Sequence, residues 1–228
     1  MSFITAEHLN KRYGSGDTGV DAVGDISLTI DSGEFISIMG ESGSGKSTLL
    51  SILGAMNTPS GGRYIVDDID VYALNTEQRA DFRREFIGFV FQGFHLVPYL
   101  TVRENVMLPL TTAPLKREEK STMAAAALAR VGLSDKAHRL PSEISGGEQE
   151  RTAVARAIVN QPPLLLADEP TGNLDSRLSS QIMDMFQQRN RDGTTLVMVT
   201  HSSECAAAAR RTLHVRDGRW APESEARH

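Results

Sequence analysis

The sequence contains a single cysteine, Cys205, so the chain cannot close an internal disulfide, and no Cys/His cluster has zinc-ligand spacing. A reducing compartment suits that usage, with Cys205 as a small buried hydrophobe on an Ala-rich helix. No apolar run approaches the ~18 to 20 residues needed to span a bilayer, so any membrane process would need another chain to supply the span. Met1 to Asn10 lacks the basic start and long apolar centre of a signal peptide. Basic residues are outnumbered: 24 Lys and Arg against 29 Asp and Glu give a net charge of -5, which is no electrostatic footprint for gripping nucleic acid. There is no internal repeat or low-complexity segment, and only the tail after Trp220 reads as frayed. What is present is ordinary for a globular protein: 228 residues, 40% hydrophobic and 23% charged, enough for one large α/β domain or a core with a subdomain.

The organising stretch is Gly40-Glu41-Ser42-Gly43-Ser44-Gly45-Lys46-Ser47-Thr48, a complete glycine-rich phosphate loop. It follows the apolar run 35–39, read as a buried strand, and opens onto Leu49-Leu50-Ser51-Ile52-Leu53, read as a helix. The glycines let successive backbone N–H groups point inward around a polyphosphate, and the helix N-terminus adds unsatisfied donors and a positive dipole end. Lys46 would reach the β- and γ-phosphates and the Ser47 hydroxyl would bind Mg2+. A flexible Ser/Gly turn would need neither Lys46 nor flanking elements of the right type.

Elsewhere strand and helix signals alternate. Residues 3–9 and 26–30 read as strands, with Lys11 to Gly16 between them as a turn-rich loop. Tyr13 in that loop would stack a purine ring or serve as a packing residue. Tyr64 to Val71 resumes strand alternation, and Asn75 with Gln78 caps a helix carrying Arg79, Arg83 and Arg84 on exposed positions. From Gly93 to about Asn160 helices dominate. Thr101 with Glu104 and Ser145 with Glu148 form capping boxes, and Met123, Ala127, Leu128 and Val131 make a core stripe before Gly132 closes the turn. Leu178, Ile182, Met185 and Phe186 mark a later amphipathic helix.

Four apolar runs read as buried strands, at 35–39, 87–91, 164–167 and 195–200, and they end in Gly40 with its loop, Gln92, Asp168-Glu169 and His201. In an open parallel sheet the carboxyl ends of strands share one edge, so these groups converge there. Asp168 suits holding Mg2+ mostly through water, and Glu169 would accept a proton from an attacking water. Two adjacent carboxylates are costly without a cation or other donors. Gln92, neutral with both a donor and an acceptor, can orient water and touch the metal, and His201 can donate to a γ-phosphate. The plainer readings are a helix cap for the carboxylates, a polar strand end for Gln92 and a satisfied structural histidine for His201.

With Ile144-Ser145-Gly146-Gly147-Glu148-Gln149 and Asn173-Leu174-Asp175 added, the chain resembles the ATP-binding cassette (ABC) ATPases from Tyr13 to Gly218. The resemblance implies an α/β P-loop NTPase fold with a parallel core sheet, an antiparallel β subdomain and an inserted α-helical subdomain. One domain would cover 1–228, with 1–92 and 161–228 as the nucleotide-binding core and β subdomain, and 93–160 as the α-helical signature part. ATP and Mg2+ are the implied ligands. Gly40, Ser42, Gly43, Ser44, Gly45, Lys46, Ser47 and Thr48 would hold phosphate, Tyr13 the adenine, and Ser47, Gln92 and Asp168 the metal. The resemblance further implies a head-to-tail homodimer on ATP binding, with Ser145, Gly146 and Gly147 of one copy facing the phosphate loop of the other and Asp175 linking the two sites. Gly146 and Gly147 leave the capped helix end bare, so cap and phosphate sensor can be one structure.

Within the family, residues 91–101 and 167–175 look like the macrolide-exporter and lipoprotein-release branch. That implies a separate transmembrane permease subunit with an extracytoplasmic domain, a cytoplasmic cassette peripheral on the inner face of the cell membrane, and no nucleic-acid partner. Phe94, Leu96, Tyr99 and Leu100 would form the cleft for the permease's coupling helix, or pack in the core. Ile144, Glu148, Glu150 and Ser202 stand where leucine, glutamine, glutamine and aspartate are commoner, and none removes a group the chemistry needs. The implied function is a transport-coupled Mg-ATPase that exports or extracts a hydrophobic substrate or lipoprotein. An ATP-driven mechanical or scaffolding partner without transport is the alternative. A soluble chromosome or translation ABC protein fits less well, because the chain is acidic and lacks a long coiled-coil insertion or a second cassette.

Overall fold

The computed structural model describes residues 2–14, 18–172 and 174–222. In chain order its strands are β1 (Ser2–Tyr13), β2 (Val20–Asp31), β3 (Phe35–Met39), β4 (Gly61–Val66), β5 (Ile69–Asp70), β6 (Ile87–Val90), β7 (Leu164–Asp168), β8 (Thr195–Val199), β9 (Arg211–Arg216) and β10 (Arg219–Trp220). The helices are α1 (Lys46–Leu53), α2 (Thr76–Phe86), α3 (Val102–Met107), α4 (Arg117–Arg130), α5 (Gly146–Ile158), α6 (Ser176–Arg191) and α7 (Ser203–Ala206).

Short runs that are apolar at every position can be buried on both faces, which is the condition of a helix-covered parallel sheet. That sheet runs β10-β9-β3-β8-β7-β6, with β9, β3, β8, β7 and β6 parallel and β10 antiparallel at one edge. Alternation divides its side chains between two cores. Ile36, Ile38, Leu164, Leu166, Val197 and Val199 pack toward α1 and the second sheet, whereas Phe35, Leu165, Ala167, Leu196 and Met198 pack toward α3 to α6. The second sheet, β2-β1-β4-β5, is antiparallel and buries Ile4, Leu9, Ile26 and Ile30.

Several local expectations need correction. Lys11 to Tyr13 continue β1 instead of forming a loop, because Arg12 pairs across to Asp21, with an ion pair at 3.2 Å, and Tyr13 to Val20. Ser15 and Gly16 of the expected loop lie outside the described residues. Tyr64 to Val71 is two strands, separated at Asp67 and Asp68, whose φ values of 47° and 62° break the ladder. Arg79, Arg83 and Arg84 are half-buried, not exposed. Arg79 donates to Thr58 Oγ1 at 2.8 Å, Arg83 to the Ala55 carbonyl at 2.9 Å, and Arg84 pairs with Asp81 at 2.7 Å. The run at 87–91 is a half-buried edge strand ending at Val90; Phe91 stacks on Phe89 with ring centroids 4.2 Å apart. The β9–β10 hairpin was unanticipated, although Asp217-Gly218 carries the turn signal, with φ 48° and 73°.

The helices between β6 and β7 pack on one another around Val106, Leu128, Val131, Val154 and Ile158. The capping boxes at Thr101/Glu104 and Ser145/Glu148 are both formed. A buried side chain that sequence reading passed over ties the loop after β6 to α3. Asn105, 0% exposed, accepts from Val97 N–H at 2.7 Å and donates to the carbonyls of Val97, Leu100 and Thr101 at 2.9 to 3.1 Å. A buried Asn at the centre of such a set costs its full desolvation when any partner is lost. Asn105→Ala is expected to lower stability by about 2–4 kcal/mol in urea unfolding, since several backbone groups lose their partner together; a loss under about 0.5 kcal/mol would show that the contacts are incidental.

Candidate nucleotide site

The phosphate loop is shaped by backbone held on three sides. Gly45 has φ 100°, and a Cβ there would meet the Ala22 carbonyl at 2.1 Å; one on Gly40 would meet the Val215 carbonyl at 2.2 Å. Gly218 N–H donates to the Ser44 carbonyl at 2.9 Å, and Gly24 N–H donates to the Gly218 carbonyl at 2.8 Å. Loop, β2 and the β9–β10 turn are therefore one unit, and only glycine fits its closest approaches. Lys46 is 8% exposed and donates to the carbonyls of Gly40 and Glu41, both at 2.7 Å, so the loop carries a cation at its centre. The buried Ser44 hydroxyl has no hydrogen-bond partner among the described residues. A recess of about 460 Å³ is lined by Gly40 to Ser44 and by His214 to Asp217.

The ends of the parallel strands bring the other groups to this edge. Ser47 Oγ donates to Asp168 Oδ1 at 3.2 Å, joining α1 to β7. Burial pushes the Asp168 carboxyl above its ordinary value; the Ser47 hydrogen bond and Lys46 oppose this, and the Glu169 charge adds to it. Glu169 has φ 47° and donates its N–H to the Val199 carbonyl at 2.9 Å, which turns its side chain toward His201. The carboxylate, 10% exposed, accepts from His201 N–H at 3.3 Å and lies 2.9 Å from His201 Nδ1. His201 thus bonds Glu169 here and presents its other ring nitrogen outward, its side chain 69% exposed. Gln92 is exposed two residues past the end of β6. A second recess, about 330 Å³, is lined by Glu169, Gly172, Leu174, Ser176, His201 and Ser202, among others.

The remaining expected residues lie apart from the loop. Neither recess is lined by Ser145, Gly146 or Gly147. Ser145 and Glu148 form the expected reciprocal cap, Ser145 N–H to Glu148 Oε2 at 2.8 Å and Glu148 N–H to Ser145 Oγ at 3.3 Å. Gly146 is open, but Gly147 is not bare: it is buried, and a Cβ would meet Leu178 Cδ1 at 2.4 Å. Its second role, close packing of α5 on α6, was not legible. Asp175 caps α6, accepting from Leu178 N–H at 2.9 Å. Asn173 falls outside the described residues. Tyr13, 44% exposed, carries Lys11 Nζ 5.1 Å from its ring centre, and its hydroxyl accepts from Asn57 Nδ2.

The donor set fits polyphosphate with a small hard cation. Among the described residues no group of three His, Cys, Asp or Glu side chains is placed to hold a metal by itself. The oxygens of Ser47 and Asp168 alone suit an ion that completes its shell with phosphate and water, as Mg2+ does. The buried Ser44 hydroxyl and the cation at Lys46 suit an anion at the loop.

The sequence pattern of the family described as ABC transporter matches residues 23–172. The chain belongs to the ABC transporter family. As such it is an ATP-binding, ATP-hydrolysing cassette, and its residue range spans most of the elements just described. The ABC transporter ATP-binding protein YvrO of Bacillus subtilis is 45% identical over 215 residues, 94% of each chain. The macrolide export ATP-binding/permease protein MacB of Hyphomonas neptunium is 42% identical over 221 residues, which are 97% of this chain and 34% of that one. The cassette therefore spans about a third of such MacB proteins and nearly all of YvrO. The solved dimeric structure of the ATP-binding cassette MJ0796 bound to ADP and Pi is 39% identical, with a TM-score of 0.90 covering 96% of this chain and 97% of that one. Among the described residues, no helix of the cassette is long and apolar enough to cross a membrane.

One functional-region residue carries an unexpected charge state. Glu150, two residues beyond the Ser145 cap partner on α5, is 2% exposed with Oε1 unpartnered, and burial pushes its carboxyl from 4.5 up to about 8, opposed by Arg156. The folded chain holds this proton more tightly than the unfolded one, so Glu150 costs stability as pH rises through the window from 4.5 to about 8. Glu150→Gln is expected to match the parent below that window and to exceed it above by about 2–4 kcal/mol in urea unfolding. A gap that does not change with pH would refute the protonated state.

Proposed function

We propose that the cassette hydrolyses MgATP between two head-to-tail copies of itself and transmits their closure to a transmembrane permease. The observation that carries this is the meeting of Ser47 with Asp168 and of Glu169 with His201 along one sheet edge. Lys46 would exchange the carbonyls of Gly40 and Glu41 for β- and γ-phosphate oxygens, and the amides of Gly40 to Thr48 would surround them. Ser47 and Asp168, with Gln92, would hold Mg2+, which when bound neutralises charge on the phosphates. Glu169, oriented through His201 and set by its backbone bond to Val199, takes the proton of the attacking water. Tyr13 gives adenine a half-exposed ring at the end of β1.

Ser145, Gly146 and Gly147 line neither recess of their own chain, which supports a role toward a second copy's γ-phosphate. That the similar MJ0796 cassette is a dimer supports the pairing of two copies, and in this reading Asp175 lies between the sites. In this reading residues 1–92 and 161–228 form the nucleotide core with its β subdomain, and 93–160 the α-helical part. Tyr99, 80% exposed, with Phe94, Leu96 and Leu100 forms the cleft for a permease coupling helix. In this reading a hydrophobic substrate or lipoprotein is exported or extracted through a permease bearing an extracytoplasmic domain, with the cassette on the cytoplasmic face of the membrane; the similar macrolide export ATP-binding/permease protein MacB supports export. Glu169→Gln is expected to keep ATP binding and lower turnover by about 10²- to 10⁴-fold; unchanged steady-state hydrolysis would remove Glu169 from the base role. Lys46→Ala is expected to abolish ATP binding, and micromolar affinity retained in calorimetry would contradict the phosphate-loop assignment.

A further inference from the structure

On the side of the sheet away from the nucleotide edge, α4, α5 and α6 enclose a small apolar slot. Val131, Val154, Ile158 and Met185 form its floor and walls, and its volume is about 210 Å³. Arg130, at the end of α4, and Arg189, in the last turn of α6, line it as well. The same two arginines and Asp192 also line an adjoining polar recess of about 370 Å³, bounded by Pro162, Pro163, Gly193 and Thr194. An apolar space thus opens directly into a polar one, and cationic groups stand at the junction.

Two arginines share one counter-charge, the ion pair of Arg189 with Asp192 at 3.8 Å. The Arg189 side chain is 13% exposed, and its buried Nε has no hydrogen-bond partner among the described residues. Asp192 Oδ2 stands 3.8 Å from Arg189 Nη1, beyond hydrogen-bonding distance, and Asp192 Oδ1 already accepts from Gln188 Nε2 at 2.9 Å. Among the described residues lining the two spaces, Asp192 is the one acidic group against Arg130 and Arg189. Burial, and then the charge of Arg130, lower the Arg189 pKa, while Asp192 opposes both. Cations suit the ends of helices, which accounts for arginines in these positions. It does not account for the apolar slot behind them or for a buried guanidinium N–H left unpaired.

We propose that this junction binds a small amphiphilic anion, its carboxylate or phosphate head between Arg130 and Arg189 and a short acyl chain in the slot. A buried guanidinium gains charge-assisted hydrogen bonds from such a head, and the chain removes apolar surface from water. The slot is smaller than the roughly 300–1,000 Å³ typical of drug-sized ligand sites, which restricts the chain to a short one. Pro162 and Pro163 precede β7, and Gly193 and Thr194 precede β8, so the site lies at the strand ends opposite Asp168, Glu169 and His201. The slot is therefore separate from the nucleotide edge.

Calorimetry on the whole chain with octanoate, octyl phosphate, octanol and acetate tests the assignment. At least one of the two anionic amphiphiles should saturate, with octanol and acetate each binding about tenfold or more weakly. The tighter of octanoate and octyl phosphate identifies the head. Arg189→Gln and the exposed Arg130→Gln should each cost about tenfold for the anion and leave octanol unchanged, while ATP affinity stays at the parental value and certifies the fold. Octanol equal to the anions would mean apolar contact alone, and acetate equal to them would mean charge alone; either overturns the proposal. So would parental affinity in both variants, or no saturation by about 10 mM.

Discussion

The apolarity of the parallel sheet on both faces is the constraint from which the site follows. β3, β7 and β8 present mostly apolar side chains on both faces, with buried Ser37 and Thr195 each hydrogen-bonded, so an ionisable group within the sheet would lie in an apolar core. Ionisable side chains are displaced to strand ends, where backbone direction is common to all the parallel strands. Lys46, Gln92, Asp168, Glu169 and His201, separated by up to 155 residues, occupy one rim for that reason. The bonds of Asp168 to Ser47 and of Glu169 to His201 are local refinements of a placement already imposed by packing.

Much of this was legible because the signals were redundant. Glycine spacing, Lys46 and the elements flanking them agreed, and the apolar runs had no plausible place except in a sheet. The capping boxes at Asn75, Thr101 and Ser145 were readable because their chemistry lies within four residues. Other features depended on distant partners. Arg12 extends β1 only because Asp21 lies opposite, Arg79 and Arg83 are drawn inward by Thr58 and the Ala55 carbonyl, and Gly147 is enclosed by Leu178. Asn105 resembles any helix-surface asparagine in sequence, and its burial becomes evident only when the loop at Val97 to Thr101 folds back over it.

α5 combines these two levels. Its first turn is a local cap, while its last turn reaches outward: Arg156 donates to the carbonyls of Phe94 and His95, each at 2.6 Å. Both residues have positive φ, 56° and 48°, so the guanidinium holds a backbone segment in a conformation that side chains of their kind resist. That segment begins just after Gln92. One rigid helix therefore connects the Ser145 end to the loop leaving the nucleotide rim, and the buried Glu150 beside Arg156 makes the connection sensitive to charge.

The bond from Gly218 to the Ser44 carbonyl has a consequence for biosynthesis. The phosphate loop is made early, yet one of the groups that clamps it is encoded 174 residues later, close to the end of the described chain. During translation the loop leaves the ribosome without its clamp, and the strand beside it, β9, is likewise still to come. The nascent cassette can collapse its antiparallel sheet first, but the finished shape of the phosphate cradle waits for the last hairpin. Completion of the cradle is thereby tied to residues as distant in sequence as Gly218.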